Sequence, residues 1–158
     1  MKFNKDQKGF SLVELLAVVG IIGILLSISI PRLLSSRRAA NEGSAISSMR
    51  TIHSVESAYQ STYGQGEFAD LPTLITNKLV DDTFSNTKSG YEFVIHPSGV
   101  GVTPPSYFAS AIPSVTTGIA QTGSRRFGVC EDGVLRGDGS LTGFADWNEV
   151  AATPPLNN

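Results

Sequence analysis

Phe10–Ile30 reads FSLVELLAVVGIIGILLSISI, and its only ionisable side chain is Glu14. As a helix these 21 residues extend roughly 31 Å at about 1.5 Å per residue, which matches a bilayer core. A water-soluble fold could bury such a helix only inside a large core. The 95 residues from Gly64 onward are too few to wrap it on every side. The stretch therefore predicts a membrane span. It is longer than the roughly 7–15 residues of a secretory signal core. No small-x-small cleavage site follows it, because Ser27 and Ser29 lead into Ile30 and Pro31. Glu14 is also misplaced inside a signal core, so a retained anchor is expected.

Both flanks of the span are cationic. Lys2, Lys5 and Lys8 precede it, opposed by Asp6, and Arg32, Arg37 and Arg38 follow it. The positive-inside rule therefore gives no clear orientation. Beyond Arg38 the chain is mildly acidic, so the net charge of −2 over 158 residues is a difference between two unlike halves. Charged residues make up 16% of the chain, against roughly 25% in a typical soluble domain. That balance excludes both a nucleic-acid coat and an acidic disordered chain. No nucleic-acid partner is expected, and Arg125-Arg126 reads as a solvated face or an intersubunit pair.

The helical pattern continues past the span. Ser44–Tyr63 holds no Gly or Pro. At 100° per residue, Ala45, Met49, Ile52, Val55, Tyr59 and Tyr63 share one face, with Ser47, Arg50, Ser54, Ser57 and Ser61 opposite. Gly64 and Gly66 should end the helix, and Pro31 should bend it or open its hydrogen-bond ladder. Further on, Leu71–Val80 reads as a short helix or turn. Tyr91–Ile95 and Ser106–Ile112 read as strands. Arg126–Glu131 and Val134–Arg136 flank Asp132-Gly133, a type I′ hairpin signal. The fold class expected is α+β: a long N-terminal helix packed on a small antiparallel sheet, then a tail, Thr142–Asn158, with Trp147 as a candidate anchor and a loose end after Pro154-Pro155.

The segment that carries function is Lys8-Gly9-Phe10-Ser11-Leu12-Val13-Glu14. A small Gly between a basic leader and an apolar helix lets a protease pass extended backbone through its site. Glu14 is the physical puzzle. An unpaired acid within a span costs about 2.5–3.5 kcal/mol on insertion scales, and no basic side chain lies between Phe10 and Ile30. Cleavage after Gly9 would create a partner, the positive amine of Phe10. Pairing of Glu14 with that amine on a neighbouring chain would fix the stagger of two packed helices. The bland alternative is a Glu snorkelling to the interface.

Over residues 5–35 the sequence resembles the prepilin family, the type IV pilins and the pseudopilins of type II secretion. Gly9, Phe10, Ser11, Leu12, Val13, Glu14, the apolar helix through Ile30, and Pro31 carry the match. The resemblance implies a pilin-like fold. It implies cleavage by a prepilin peptidase between Gly9 and Phe10, with N-methylation of Phe10. It implies an assembly role for Glu14 and a helix that loosens around Pro31. The partners implied are filament subunits of the same or a related kind, the peptidase, an inner-membrane assembly platform and the membrane itself. The chain would divide into a cytoplasmic leader (1–9), a transmembrane and assembly helix (10–30), its amphipathic second half (31–63) and a head domain (64–158). It would stand in the inner membrane before assembly, then in an extracellular pilus or a periplasmic pseudopilus. Many pilins close their last loop with two cysteines; here only Cys130 is present, so the hairpin and tail must be held by packing, with Phe127, Val129 and Trp147 as candidates.

No enzymatic constellation competes with this reading. His53 with Glu56 makes an i, i+3 pair on the flank of the helix, read as a solvated edge contact. His96 before Pro97 reads as a turn residue. Cys130, near Arg125, Arg126 and Arg136, reads as a buried structural thiol. Glu131-Asp132-Gly133 and Asp138-Gly139 miss calcium-loop spacing and read as turns. No cofactor and no metal are expected. The function expected is a non-enzymatic type IV pilus subunit. The alternatives are a type II secretion pseudopilin and, of another class, a membrane-anchored extracytoplasmic binding domain.

Overall fold

The computed structural model describes residues 9–99 and 101–156. Most of the leader therefore lies outside the described residues. The chain divides into two compact units, Met1–Ser36 and Arg37–Asn158. Helix α1, Leu12–Thr62, supplies residues to both and runs through Pro31 without interruption.

In the second unit α1 meets a four-stranded antiparallel sheet with strand order β1-β2-β3-β4. The strands are β1 (Tyr91–Pro97), β2 (Tyr107–Pro113), β3 (Arg126–Cys130) and β4 (Arg136–Asp138). Two short helices complete the unit, α2 (Leu71–Thr76) and α3 (Trp147–Ala152). The sheet has a core on each face, as a side-chain period of two requires. On one face Tyr91, Phe93, Ile95, Tyr107, Ala109, Ala111, Phe127 and Val129 pack with Ala45, Met49 and Ile52 of α1. On the other, Phe108 and Cys130 pack with Phe144 and Val150 of the C-terminal segment. Gly128 makes this second contact close. A Cβ there would stand 2.8 Å from Val150 Cγ1 and 3.1 Å from Phe144 Cε2.

The α+β expectation is met, and several local readings change. Tyr63 is 61% exposed, because α1 ends at Thr62 and the chain turns away, with the Gly64 amide bonded to the Tyr59 carbonyl. Glu56 lies fully buried on the packing stripe rather than at a solvated edge. His96 is inside β1, paired in register with Phe108. It is therefore a strand residue, not a turn residue. The Asp132-Gly133 turn is not type I′, which needs positive φ at both central residues. Only Gly133 has positive φ (+70°), and its amide bonds the Cys130 carbonyl. Strand β4 consequently starts at Arg136, not Val134.

The tail is tied down as far as Leu156, and the rest of the loose end expected after Pro155 lies outside the described residues. Asp146 caps α3 by accepting from the Glu149 amide, and Glu149 accepts from the Ala145 amide. Pro155 bridges Arg136, and the Leu156 amide bonds the Leu135 carbonyl. Trp147 is 38% exposed and ties α3 to Glu131 through its Nε1, while Phe144 and Val150 supply the buried packing of this segment.

Candidate functional site

The residues singled out for processing and assembly begin the first unit. Gly9 and Phe10 are exposed, Phe10 at 86%. Ser11 then caps α1: its hydroxyl accepts from the Val13 amide at 3.3 Å and its carbonyl from the Leu15 amide at 3.1 Å. Glu14 follows in the first turn. Ser11-x-x-Glu14 has capping-box spacing, a signal present in the sequence. It gives Glu14 a second physical reason for its place, since a carboxylate in the first helical turn is favoured by the helix dipole. The ion pairs among the described residues do not include Glu14.

From Leu12 to Leu33 the helix has no buried face. Leu12, Leu15, Leu16, Ile21, Ile24 and Leu25 are all more than half exposed. The helix is long and apolar enough to cross a membrane, and its most apolar stretch is unburied. A contiguous apolar surface of this kind is a site of contact with lipid or with other protein. Pro31 lies inside the helix, where it has no amide to donate. The Ser27 and Ser35 hydroxyls on either side donate to the Ile24 and Arg32 carbonyls.

The second unit holds the polar groups that the sequence misplaced. Arg126 is 5% exposed, not on a solvated face. It grips Asp138 with two bonds of 2.9 and 3.0 Å, donates to Glu149 at 2.7 Å and to the Thr142 and Gly143 carbonyls at 3.2 Å. Its guanidinium lies 3.9 Å over the Phe144 ring. The Arg126 hydrogen bonds hold the Asp138 carboxyl below its ordinary pKa. Arg125 pairs with Glu42 of α1 at 2.8 Å, and Glu42 also accepts from the Ser124 amide and hydroxyl. Burial alone would raise the Glu42 pKa, but those bonds bring it below the ordinary value.

Glu56 has no such compensation. Its Oε2 accepts from the Ala69 amide at 3.1 Å, while Oε1 is buried without a partner. Burial pushes its carboxyl up to about 7, and Asp70 adds to the shift. One turn earlier, His53 Nδ1 lies 2.8 Å from the Tyr107 hydroxyl of β2, so His53 reaches the sheet, Glu56 reaches the segment before α2, and the two do not bond each other. Cys130 is buried, and desolvation with Glu131 and Asp132 raises its thiol to about 12, the pattern of an inert thiol. Asp132 and Asp138 are each held by an arginine, Arg136 and Arg126.

Residues 4–30 match the family described as "Prokaryotic N-terminal methylation motif". The type IV major pilin protein PilA of Myxococcus xanthus is 32% identical over 58 residues, 37% of this chain and 26% of that protein. The type IV wide pilus major component PilA4 of Thermus thermophilus is 50% identical over 38 residues, 24% of this chain and 29% of that protein. The type II secretion system core protein G of Escherichia coli is 30% identical over 60 residues, 38% of this chain and 41% of that protein. The chain thus aligns with between a quarter and two-fifths of each relative's length. No solved structure matches. The chain carries a prepilin-type N-terminal methylation motif and, over its aligned part, is similar to type IV pilins and to a type II secretion core protein.

Proposed function

We propose that this chain is a structural, non-enzymatic subunit of a type IV pilus. The observation that carries the reading is an unburied apolar helix with one acid, set directly behind Gly9-Phe10, within a segment that matches the methylation motif. Residues 10–30 anchor the precursor in the inner membrane, with leader residues 1–9 in the cytoplasm and the domain from residue 64 outside. A prepilin peptidase cuts between Gly9 and Phe10 and methylates the new Phe10 amine. That amine pairs with Glu14 of an adjacent subunit, which offsets the penalty of the acid in lipid and sets the axial stagger. The apolar helices then bundle on an assembly platform, with local loosening at Pro31, and the sheet domains face outward.

Two variants test the scheme. Gly9→Leu leaves the precursor uncut; a Phe10 N-terminus found by mass spectrometry would overturn the processing site. Glu14→Ala leaves the protein inserted and cleaved but polymerises poorly; a normal filament yield would remove the stagger argument. The likeness to the secretion core protein supports a second reading, a periplasmic pseudopilus. Electron microscopy of sheared surface material, with peptide identification, separates the two. Filaments that contain this chain exclude the pseudopilus.

A further inference from the structure

Trp147 and His96 both keep exposed side chains in the structure. They line one cleft of about 150 Å³ on the outer face of the β1–β2 pair, with Ser98, Ser106 and Phe108. The Trp147 indole is held in place although it is not buried: Nε1 donates to Glu131 Oε2 at 2.8 Å, and the side chain stays 38% exposed. His96 stacks on Phe108 with ring centroids 4.7 Å apart and an interplanar angle of 25°. Its exposed imidazole makes no side-chain hydrogen bond among the described residues. Ser98 Oγ accepts from the Ser106 amide at 2.9 Å, which leaves its own proton free to donate.

A fixed, partly exposed indole beside side chains with donors and acceptors to spare suits a ligand with one apolar face and a polar rim. The indole face attracts polarised C–H bonds. A neutral imidazole offers one donor and one acceptor, and a serine hydroxyl offers both. Pockets for drug-sized ligands start at about 300 Å³, so this cleft holds a single ring. Neither Arg nor Lys lines it, which argues against an anionic ligand. We propose that this cleft is a carbohydrate subsite for one pyranose ring, stacked on Trp147 with its hydroxyls on His96 and Ser98. The subsite lies wholly within residues 96–147 and does not depend on the assembly reading.

Trp147 is the only tryptophan in the chain, so its emission reports on this cleft alone. The full chain, in a phosphocholine detergent that carries no sugar, is titrated with glucose, galactose, mannose and N-acetylglucosamine. At least one is expected to give a saturable shift in Trp147 emission with a millimolar dissociation constant, the range for a ligand of this size. His96→Ala, an exposed substitution, should weaken that response at least tenfold while the far-ultraviolet circular dichroism stays unchanged. Saturation-transfer NMR on the same sample should show the ring C–H protons closest to the protein. The proposal is overturned if no sugar saturates by 100 mM, if His96→Ala responds as the parent does, or if only flat aromatic probes such as phenol bind.

Discussion

Glu56 is the residue where packing and chemistry conflict most. Its position on the stripe between Ile52 and Tyr59 brings the carboxyl to zero exposure. Only one oxygen finds a donor there. Because the folded-state pKa is raised from 4.5 to about 7, the folded chain holds a proton that the unfolded chain has released between those values. Glu56 therefore makes stability fall as pH rises from about 4.5 to about 7, with no further change above. The lowered pKa of Asp138 acts in the opposite sense: its contribution is present above the ordinary carboxylate range and is lost on acidification below it. Glu56→Gln keeps the acceptor for the Ala69 amide and removes the titration. In thermal unfolding at pH 5, 6, 7 and 8, the parent midpoint should decline to about pH 7, and the variant should show a flatter profile. Parallel profiles would mean that the carboxyl titrates normally.

Among the elements, the C-terminal segment shows how a chain with one cysteine closes its last loop. Arg126 on β3 reaches β4 through Asp138, the Thr142–Gly143 backbone through its carbonyls, and α3 through Glu149. These bonds tie together segments that are separate in sequence. Removing Arg126 leaves Asp138 and Glu149 partly exposed and open to water, so the loss is smaller than the roughly 3–5 kcal/mol of breaking a fully buried pair. Arg126→Met should lower the unfolding midpoint and uncouple α3 first, seen as a change in Trp147 emission before the loss of circular dichroism. A single coincident transition at the parent temperature would show that Phe144 and Val150 suffice. The α3 helix was legible in principle, since Asp146-x-x-Glu149 has capping-box spacing. The role of Arg126 was not, because its partners at positions 138, 142, 143 and 149 meet only once the strands pair.

For the whole molecule, the division of the chain follows the division of its apolar surface. Both core clusters and every ion pair among the described residues lie beyond Arg37. The long exposed apolar run lies before it. A chain beginning at Arg37 should thus dissolve without detergent and unfold in one cooperative transition, while the full chain needs a bilayer, a micelle or its own copies to cover residues 10–33. Aggregation of the shortened chain, or the lack of a cooperative transition, would show that the earlier residues are needed for the fold. Whereas the strand order β1-β2-β3-β4 came from the structure, the sequence by itself determined the long helix, the apolar span, the first three strand segments and the Gly9-to-Glu14 segment. Each depends on neighbours in the chain, through period, composition or spacing, and such signals need no folding to be read. Only the tertiary structure decided that Arg126 is a buried clasp, that Glu56 faces the core, that β4 starts two residues late and that Trp147 stands open beside His96. Those outcomes depend on which groups meet across strands and on whether a charge finds a partner when water is removed, and pairing over tens of residues leaves no local trace.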